Sequence, residues 1–395
     1  MNIRELFLRH VAKTNNKPLT FQPERAEGIH VVGADGTRYI DLIAGVSVCN
    51  VGHCHPEVVR AIERQARTYM HVMVYGEFVE SPQVRFATAL ADALGDRLDM
   101  VYFTNSGAEA TEGALKMAKR ATGRREIVSF RHSYHGSTMG ALSVMGDEVF
   151  RRNYRPLVPG NRMVTYGSQE ALDMITERTA AVIAEPVQAE SGVTVPDPDW
   201  LRALRARCDE TGALLILDEI QTGFGRTGDL FAHQGAGIVP DVLLLAKAMG
   251  GGMPLGAFVA HHELMATLTE NPVLGHITTF GGHPVSCAAG LAAFDIVQRD
   301  ALHQRAEEMG ALFAERLQHP AIRRIGRKGL MMALHFDSFE VNEAVIRACF
   351  ERGVLTDWFL FAPHALRIAP PLVITDRQVH AVCDTILESI EEVAG

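Results

Sequence analysis

The chain has 395 residues and a formal net charge of −9, with 47% hydrophobic and 22% charged residues, as in folded globular proteins with a large core. This length allows two ordinary domains or one large α/β domain with a smaller companion. The acidic balance without a basic run argues against a nucleic-acid partner, and no run of 18 apolar residues exists to cross a membrane.

The cysteines and the N-terminus indicate the compartment. The six cysteines are scattered without a paired framework, which predicts reduced thiols and a cytoplasmic protein. His53-Cys54-His55 has side chains that bind metals, but no second ligand pair stands at metal spacing, so we predict no metal site. The first ten residues carry charge throughout, unlike a secretory signal.

Short apolar strands alternate with helical patterns before about residue 290. A helix is predicted at about 3–13, and the strands Ile29–Val32 and Tyr39–Asp41 flank a turn at Asp35-Gly36. The apolar strands that follow are Met100–Phe103, Glu126–Phe130, Ala180–Ala184, Leu214–Leu217 and Val242–Leu245. Strands separated by helices predict an α/β fold with a mainly parallel sheet, which binds ligands at the carboxyl ends of its strands.

The pattern changes after about residue 290. It predicts helices at Ala288–Arg299, Ala306–Leu317 and Val341–Arg352, with short strands near Gly329–His335. We therefore expect a smaller α+β domain in the C-terminal part of the chain.

A candidate phosphate site follows the strand Met100–Phe103. The next residues lead into a helical run from Glu109 to Arg120. Ser106, Gly107 and Ala108 would lie at a helix N-terminus, where free N–H groups and the helix dipole favour a phosphate. Taken alone, the segment is better explained as an ordinary serine cap without a ligand.

Two strands end in side chains of opposite charge. Lys247 follows Val242–Leu245 and precedes a glycine run, and Asp218 follows Leu214–Leu217. A buried lysine at a strand end has a lowered pKa and becomes a nucleophilic amine, which can carry the aldehyde of a cofactor. The aspartate can hold a pyridine nitrogen protonated, so the pair matches the needs of pyridoxal phosphate. Taken singly, a lysine after an apolar strand is more often a surface residue, and an aspartate there is more often a helix cap.

These segments resemble a known family, the class III aminotransferases of fold type I. The resemblance runs from Asp41 to Leu372, and its most specific stretches are residues 218–228 and the lysine–glycine segment 243–254. It implies pyridoxal 5'-phosphate as the cofactor, with Lys247 and Asp218 as catalytic residues. It also implies a small domain that combines residues 1–50 with 291–395, beside a large cofactor-binding domain of residues 51–290.

The resemblance assigns further cofactor contacts. Tyr134 matches the aromatic residue that stacks on the pyridine ring, although plain packing would fit the same sequence. Gln221 matches the residue beside the ring hydroxyl, where a surface glutamine would look identical. His135 and Glu185 are implied as additional contacts. Thr279 matches a threonine that reaches the phosphate in the neighbouring subunit, which implies a homodimer with a shared active site.

Substrate recognition is implied at four positions. Glu190 matches a glutamate that pairs with Arg367, and this arginine binds the α-carboxylate of glutamate or of a 2-oxo acid. The glutamate neutralises the arginine when a substrate presents an uncharged end. The alternative interpretation is that Glu190 and Arg367 are ordinary charged surface residues. Val46 is implied as a further substrate contact. Ser137 departs from the family pattern, because the acetylornithine, ornithine and 4-aminobutyrate branches have an arginine there that binds the distal carboxylate.

We therefore expect a ping-pong aminotransferase that moves an amino group from an ω-amino acid, or from an acylated diamino acid such as N-acetylornithine, to 2-oxoglutarate. Ser137 keeps an alternative open, an amine or β-amino-acid transaminase that uses pyruvate. An aminomutase, a racemase or a decarboxylase on the same scaffold is a further alternative, and Glu190 with Arg367 favours transamination over the aminomutase. The intact Lys247–Asp218 pair disfavours a non-catalytic cofactor-binding protein.

Overall fold

The computed structural model describes residues 2–16 and 18–394, so Met1 and Gly395, the outer ends of the predicted domains, lie outside it. Its strands are β1 (Pro23–Glu27), β2 (His30–Gly33), β3 (Arg38–Asp41), β4 (Met100–Thr104), β5 (Glu126–Phe130), β6 (Asn161–Val164), β7 (Thr179–Ala184), β8 (Leu214–Asp218), β9 (Val242–Leu245), β10 (Gly256–Ala260), β11 (Arg324–Lys328), β12 (Met331–His335), β13 (Val354–Leu355), β14 (Trp358–Phe359) and β15 (Ala362–Ile368).

Its helices are α1 (Ile3–His10), α2 (Ala44–Ser47), α3 (Pro56–Thr68), α4 (Ser81–Leu94), α5 (Gly107–Thr122), α6 (Met139–Val144), α7 (Glu148–Arg151), α8 (Gln169–Asp173), α9 (Pro198–Thr211), α10 (Ala232–Ala236), α11 (His262–Ala266), α12 (Pro284–Arg299), α13 (Leu302–Arg316), α14 (Phe339–Glu351) and α15 (Asp376–Ala394). None of these helices is both long enough and apolar enough to pass through a membrane.

A seven-stranded sheet lies at the centre of the fold, in the order β4-β10-β9-β8-β7-β5-β6. From β9 to β6 neighbouring strands run parallel, whereas β10 is antiparallel to both β4 and β9. The predicted α/β fold with a mainly parallel sheet is confirmed.

Both faces of this sheet are covered by apolar side chains. In β8, Leu215 and Leu217 pack into one hydrophobic cluster, and Ile216 between them packs into another. In β9, Leu243 and Leu244 divide between the same two clusters. Successive side chains of a strand point to opposite faces, so a sheet buried on both faces requires continuous apolar runs.

Two four-stranded sheets accompany the large one, in the orders β1-β2-β3-β13 and β11-β12-β15-β14. The first joins the two ends of the chain, because β13 pairs in parallel with β3. Ile29 and Leu42 also share a hydrophobic cluster with Leu334 and Ile386. This common core supports the predicted small domain, whose boundaries stay a prediction.

A fully buried arginine connects distant parts of the chain. Arg226 donates to Asn50 Oδ1 at 2.6 Å, to the Pro370 carbonyl at 2.7 Å and to the Leu330 carbonyl at 2.9 Å. Burial lowers the pKa of Arg226 to about 9, and the charge of Asp41 opposes this effect. Because these acceptors come from both ends of the sequence, Arg226 fixes the ends against the loop that follows β8.

Candidate active site

A cavity of about 700 Å³ lies at the carboxyl ends of the parallel strands. Asn105 follows β4, Glu185 follows β7 and Asp218 ends β8, and all three line the cavity. The predicted site residues that line it are Ser106, Gly107, Ala108, Tyr134, His135, Ser137, Glu185, Glu190, Asp218, Gln221 and Lys247. A parallel sheet presents its ligand site at this edge.

Lys247 begins a 3₁₀ turn two residues after β9, with a backbone φ of 51°. Its Nζ donates to Gln221 Oε1 at 2.8 Å. Burial lowers the pKa of Lys247, while the charge of Glu190 opposes this effect and the charge of Arg367 adds to it. The amine is therefore neutral, and nucleophilic, more often than that of an exposed lysine.

Asp218 is buried at the end of β8 and is held by two donors. Its Oδ2 is 2.7 Å from His135 Nδ1, and its Oδ1 accepts from the Ile220 N–H at 3.0 Å. Because a carboxylate only accepts hydrogen bonds, Nδ1 is the donor. His135 therefore orients the Asp218 carboxylate in the cavity wall.

The N-terminus of α5 forms another part of the wall. Ser106 caps this helix, since its Oγ accepts from the Glu109 N–H at 3.2 Å. Glu109 turns back and accepts from the N–H and the side-chain amide of Asn105, at 2.9 and 2.8 Å. The N–H groups of Gly107 and Ala108 belong to the first turn, where a helix offers no internal acceptors. This end of the helix can therefore bind an anion.

Gly136 allows the loop after β5 to approach that helix. Its φ is 126°, and a Cβ at this position would lie 2.7 Å from the Ala108 Cβ. Only glycine adopts this backbone conformation at this separation without strain. The close approach brings Tyr134 and Ser137 to the cavity beside α5.

Glu185 connects this loop to β7. Its carboxylate accepts from the N–H of Tyr134 at 3.0 Å and from the N–H of Ala189 at 3.1 Å. Burial raises the pKa of Glu185 to about 7. The electrostatic interaction with His135 opposes this increase, and that with Asp218 adds to it. The Tyr134 hydroxyl lies 3.2 Å from Ser137 Oγ.

Glu190 and Arg367 form a buried bidentate ion pair. The two guanidinium nitrogens Nη1 and Nη2 each donate to a Glu190 oxygen at 3.2 Å, and the Leu360 N–H donates to Glu190 at 3.1 Å. The side chains of Arg367 and Glu190 are 3% and 6% exposed. Burial raises the pKa of Glu190, but the charge of Arg367 overcomes this effect and the net pKa is lowered.

Three predicted site residues lie outside the cavity wall as far as the structure describes it. Arg367 lies behind Glu190, and Thr279 is exposed at the surface. Val46 also lies away from the wall, which Val48 lines instead. The hydroxyl of Thr278, next to Thr279, accepts from the Asn105 side chain at 2.9 Å.

Sequence reasoning missed Asn105, Thr222 and Val48 in the cavity wall, and Asp357 behind it. Asn105 stands beside the predicted phosphate residues, so its place in the strand-to-helix turn could have identified it. Nothing in the sequence distinguishes Asp357.

The comparisons with known proteins agree with this geometry. A family model, Aminotransferase class-III, matches residues 11–390. The chain is a class III aminotransferase. The predictions of family, fold type and enzyme class are confirmed.

Several relatives of this class III aminotransferase are known. The acetylornithine aminotransferase of Methanosarcina acetivorans is 42% identical over 369 residues, which cover 92% of this chain and 90% of the relative. That of Archaeoglobus fulgidus is 40% identical over 367 residues, covering 92% and 94%. The ornithine aminotransferase of Toxoplasma gondii is similar in structure, with a TM-score of 0.92, 31% identity and coverage of 100% and 96%. An ω-transaminase from Thermomicrobium roseum has a TM-score of 0.91, 29% identity and full coverage of both chains.

Pyridoxal 5'-phosphate is the cofactor of this class III aminotransferase, and the residues present fit it. The wall contains a helix N-terminus, a lysine amine and an aspartate, as phosphate, aldehyde and pyridine nitrogen require. Three buried atoms here, Gln221 Nε2, Thr222 Oγ1 and His135 Nε2, have no hydrogen-bond partner within the described chain. Buried polar atoms without partners are rare, which supports a polar ligand in this cavity.

Proposed function

We propose that this enzyme transfers an amino group from N-acetylornithine, or a similar acylated diamino acid, to 2-oxoglutarate in a ping-pong reaction. The observation that carries the proposal is the buried Glu190–Arg367 pair at the cavity wall. The acetylornithine aminotransferases at 40–42% identity support this choice of donor.

The cofactor is held at both ends in this proposal. The N–H groups of Gly107 and Ala108, with the hydroxyl of Ser106, would bind the phosphate. Asp218 would keep the pyridine nitrogen protonated, and Tyr134 would pack against the ring. His135 supports Asp218 through the 2.7 Å hydrogen bond. Glu185 supports Tyr134 through its backbone N–H.

Lys247 carries the chemistry. When bound, pyridoxal phosphate supplies an electrophilic carbonyl carbon and a conjugated ring that accepts electrons. The Nζ of Lys247 would attach the cofactor through that carbon, and as a free amine it would take the proton from the donor's amine-bearing carbon. Its lowered pKa favours the neutral amine that this step needs. Gln221 positions Nζ through the 2.8 Å hydrogen bond.

Glu190 and Arg367 serve the two half-reactions differently. Arg367 binds the α-carboxylate of 2-oxoglutarate or glutamate bidentately once Glu190 has moved aside. Glu190 returns to Arg367 when the donor presents its ω-amino end, since an unpaired buried charge is costly. Val46 stays a predicted substrate contact, two residues before Val48, which lines the cavity.

A second candidate is an amine or β-amino-acid transaminase that uses pyruvate. Ser137 lines the cavity, and no arginine is among its described lining residues. A serine hydroxyl cannot form the bidentate, charge-assisted contact that a distal carboxylate favours. Donors without a distal carboxylate are therefore the competing substrate class.

A homodimer with a shared active site is part of the proposal. Ile277 and Phe280, which flank Thr279, are 50% and 54% exposed, and the Phe280 ring centroid is 4.7 Å from that of His71. Phe78 is also 54% exposed. Exposed apolar surface of this kind marks protein interfaces, and Thr279 would then serve the phosphate of the neighbouring subunit. A cytoplasmic location stays a prediction from the cysteine pattern.

The test is a donor and acceptor panel on the purified enzyme. We expect N-acetylornithine with 2-oxoglutarate to give the highest kcat/KM, and Arg367→Ala to impair 2-oxoglutarate turnover. Ser137→Arg should improve 4-aminobutyrate and ornithine as donors by about 1–3 kcal/mol in kcat/KM. If simple amines and pyruvate give the higher kcat/KM, the second candidate replaces the first.

A further inference from the structure

Arg367 is held from behind by one short segment of the chain. Asp357 Oδ1 accepts from Arg367 Nε at 2.6 Å, and the Trp358 carbonyl accepts from Nη2 at 3.2 Å. The guanidinium carbon lies 4.2 Å from the centre of the Phe359 ring, within cation–π range. The backbones are also joined, because the Arg367 N–H donates to the Asp357 carbonyl at 2.9 Å.

The two carboxylates contact different nitrogens of the guanidinium. Glu190 occupies Nη1 and Nη2 at 3.2 Å and lines the cavity, whereas Asp357 occupies Nε at 2.6 Å and is not part of the described cavity wall. A substrate carboxylate reaches Arg367 from the cavity and must displace Glu190. The contact with Asp357 does not lie in its way, so it can persist through the exchange.

We propose that Asp357 is a positioning residue that holds Arg367 through Nε, so that Nη1 and Nη2 stay aimed at the carboxylate position while Glu190 and the substrate exchange there. The inference rests on the proposed carboxylate-binding role of Arg367. In this inference Arg367 stays in place while Glu190 moves away to admit the substrate carboxylate.

The physical reason is the cost of a free, buried guanidinium. A long arginine side chain without its Nε contact loses orientation, and a bidentate contact depends on that orientation. Asp357 also leaves Arg367 with a counter-charge during the interval when neither Glu190 nor a substrate is bound. Loss of the Asp357 charge would strengthen the attraction of Arg367 for Glu190 and for the substrate alike, so the two effects largely cancel in the exchange equilibrium. Loss of the oxygen that accepts from Nε has no such compensation.

The experiment measures glutarate binding to the holoenzyme by calorimetry. Glutarate has two carboxylates and no oxo group, so it binds without reacting. Asp357→Ala should weaken glutarate binding by about 10-fold or more, the effect of losing one charge-assisted hydrogen bond. Asp357→Asn keeps an oxygen that can accept from Nε and should bind within about threefold of the wild type. In 2-oxoglutarate kinetics, Asp357→Ala should raise KM by a similar factor and leave kcat nearly unchanged.

Three further variants separate the possible failures. Asp337→Ala removes a comparable aspartate–arginine pair, with Arg323 at the surface, and should leave glutarate binding unchanged. Asp357→Ser, which is too short to reach Nε, replaces the alanine variant if that protein does not fold. Arg367→Ala tests the underlying proposal. If this variant binds glutarate as tightly as the wild type, Arg367 is not the carboxylate-binding residue.

The positioning role is wrong under either of two outcomes. In the first, Arg367→Ala loses glutarate binding but a folded Asp357→Ala or Asp357→Ser variant binds it within twofold of the wild type. In the second, Asp357→Asn is as weak as the alanine or serine variant, which would make charge rather than position the property that matters.

Discussion

Asp218 accepts hydrogen bonds from the imidazole of His135 and from the Ile220 N–H, and these contacts fix its carboxylate at the end of β8. A fixed negative charge opposite a pyridine nitrogen stabilises the charge that develops on the ring during the reaction. At the scale of a single residue, the proposed role of Asp218 therefore depends on its charge more than on its shape.

Asp218→Asn tests this dependence. The amide keeps the size of the side chain but removes the negative charge, so single-turnover rates should fall on the order of 100-fold or more. Rapid-mixing absorbance measurements on cofactor-saturated enzyme would record the change. Unchanged rates would make Asp218 no more than a partner of Ile220 and His135.

Glu185 gives a pH dependence whose sign can be derived. Its pKa of about 7 in the fold is raised mainly by burial, whereas an unfolded glutamate ionises near about 4.3. At pH values between the unfolded and the folded pKa, folding therefore takes up a proton at Glu185. The contribution of Glu185 to stability is present at low pH and is lost as the pH rises through about 7.

Glu185→Gln removes this titration. The Tm of the wild type should fall relative to that of the variant as the pH increases from about 5 to about 8. Thermal unfolding of both proteins across this range would measure the difference. A constant Tm difference would show that Glu185 does not titrate there.

At the scale of elements, the buried strands could be predicted because both faces of the sheet are covered. The bounds of β5 and β9 agree with their predicted positions. β6 and β10 were missed for separate reasons. β6 is an edge strand with the polar start Asn161-Arg162, and β10 follows the glycine run so closely that its apolar residues resemble a loop.

The same reasoning explains which site residues could be predicted. Asp218 ends β8 and Lys247 follows β9 by two residues, so their positions follow from the sheet. The contact of Asp357 with Arg367 depends on how β14 pairs with β15 across an irregular register, which a single sequence does not specify.

Gly136 links two elements, and Gly136→Ala should separate them. A Cβ there would meet Ala108 at 2.7 Å at a φ of 126°, so we expect weaker cofactor retention and a loss of about 1–3 kcal/mol in stability. Cofactor release on dialysis and thermal unfolding would measure both effects.

Gly123→Ala is the matched control. Gly123 also has a positive φ, of 68°, but its Cβ would meet no described atom within 4 Å. It should cost some stability and leave cofactor retention unchanged. Equal retention in the two variants would contradict the close-approach argument.

At the scale of the whole molecule, the proposed dimer predicts complementation between two defective chains. Lys247→Ala removes the amine and Thr279→Ala removes the proposed contact across the interface. In hybrid dimers, one of the two sites would combine an intact Lys247 with an intact Thr279.

Co-expression of the two variants should therefore restore about a quarter of the wild-type sites if subunits pair at random. Activity of the mixture, compared with each variant alone, measures this directly. If Thr279 serves its own subunit, the hybrids contain no intact site and the mixture should show no gain.

The backbone of Lys247 has one more consequence. With φ at 51°, it adopts a left-handed conformation that disfavours every side chain bearing a Cβ. Lys247→Gly should therefore be more stable than Lys247→Ala by about 0.5–1 kcal/mol, although both lack the amine proposed to attach the cofactor. Urea unfolding of the two cofactor-free proteins would measure the difference. Stability alone would favour glycine at this position, so the proposed catalytic role of Lys247 requires a lysine where the backbone conformation disfavours one.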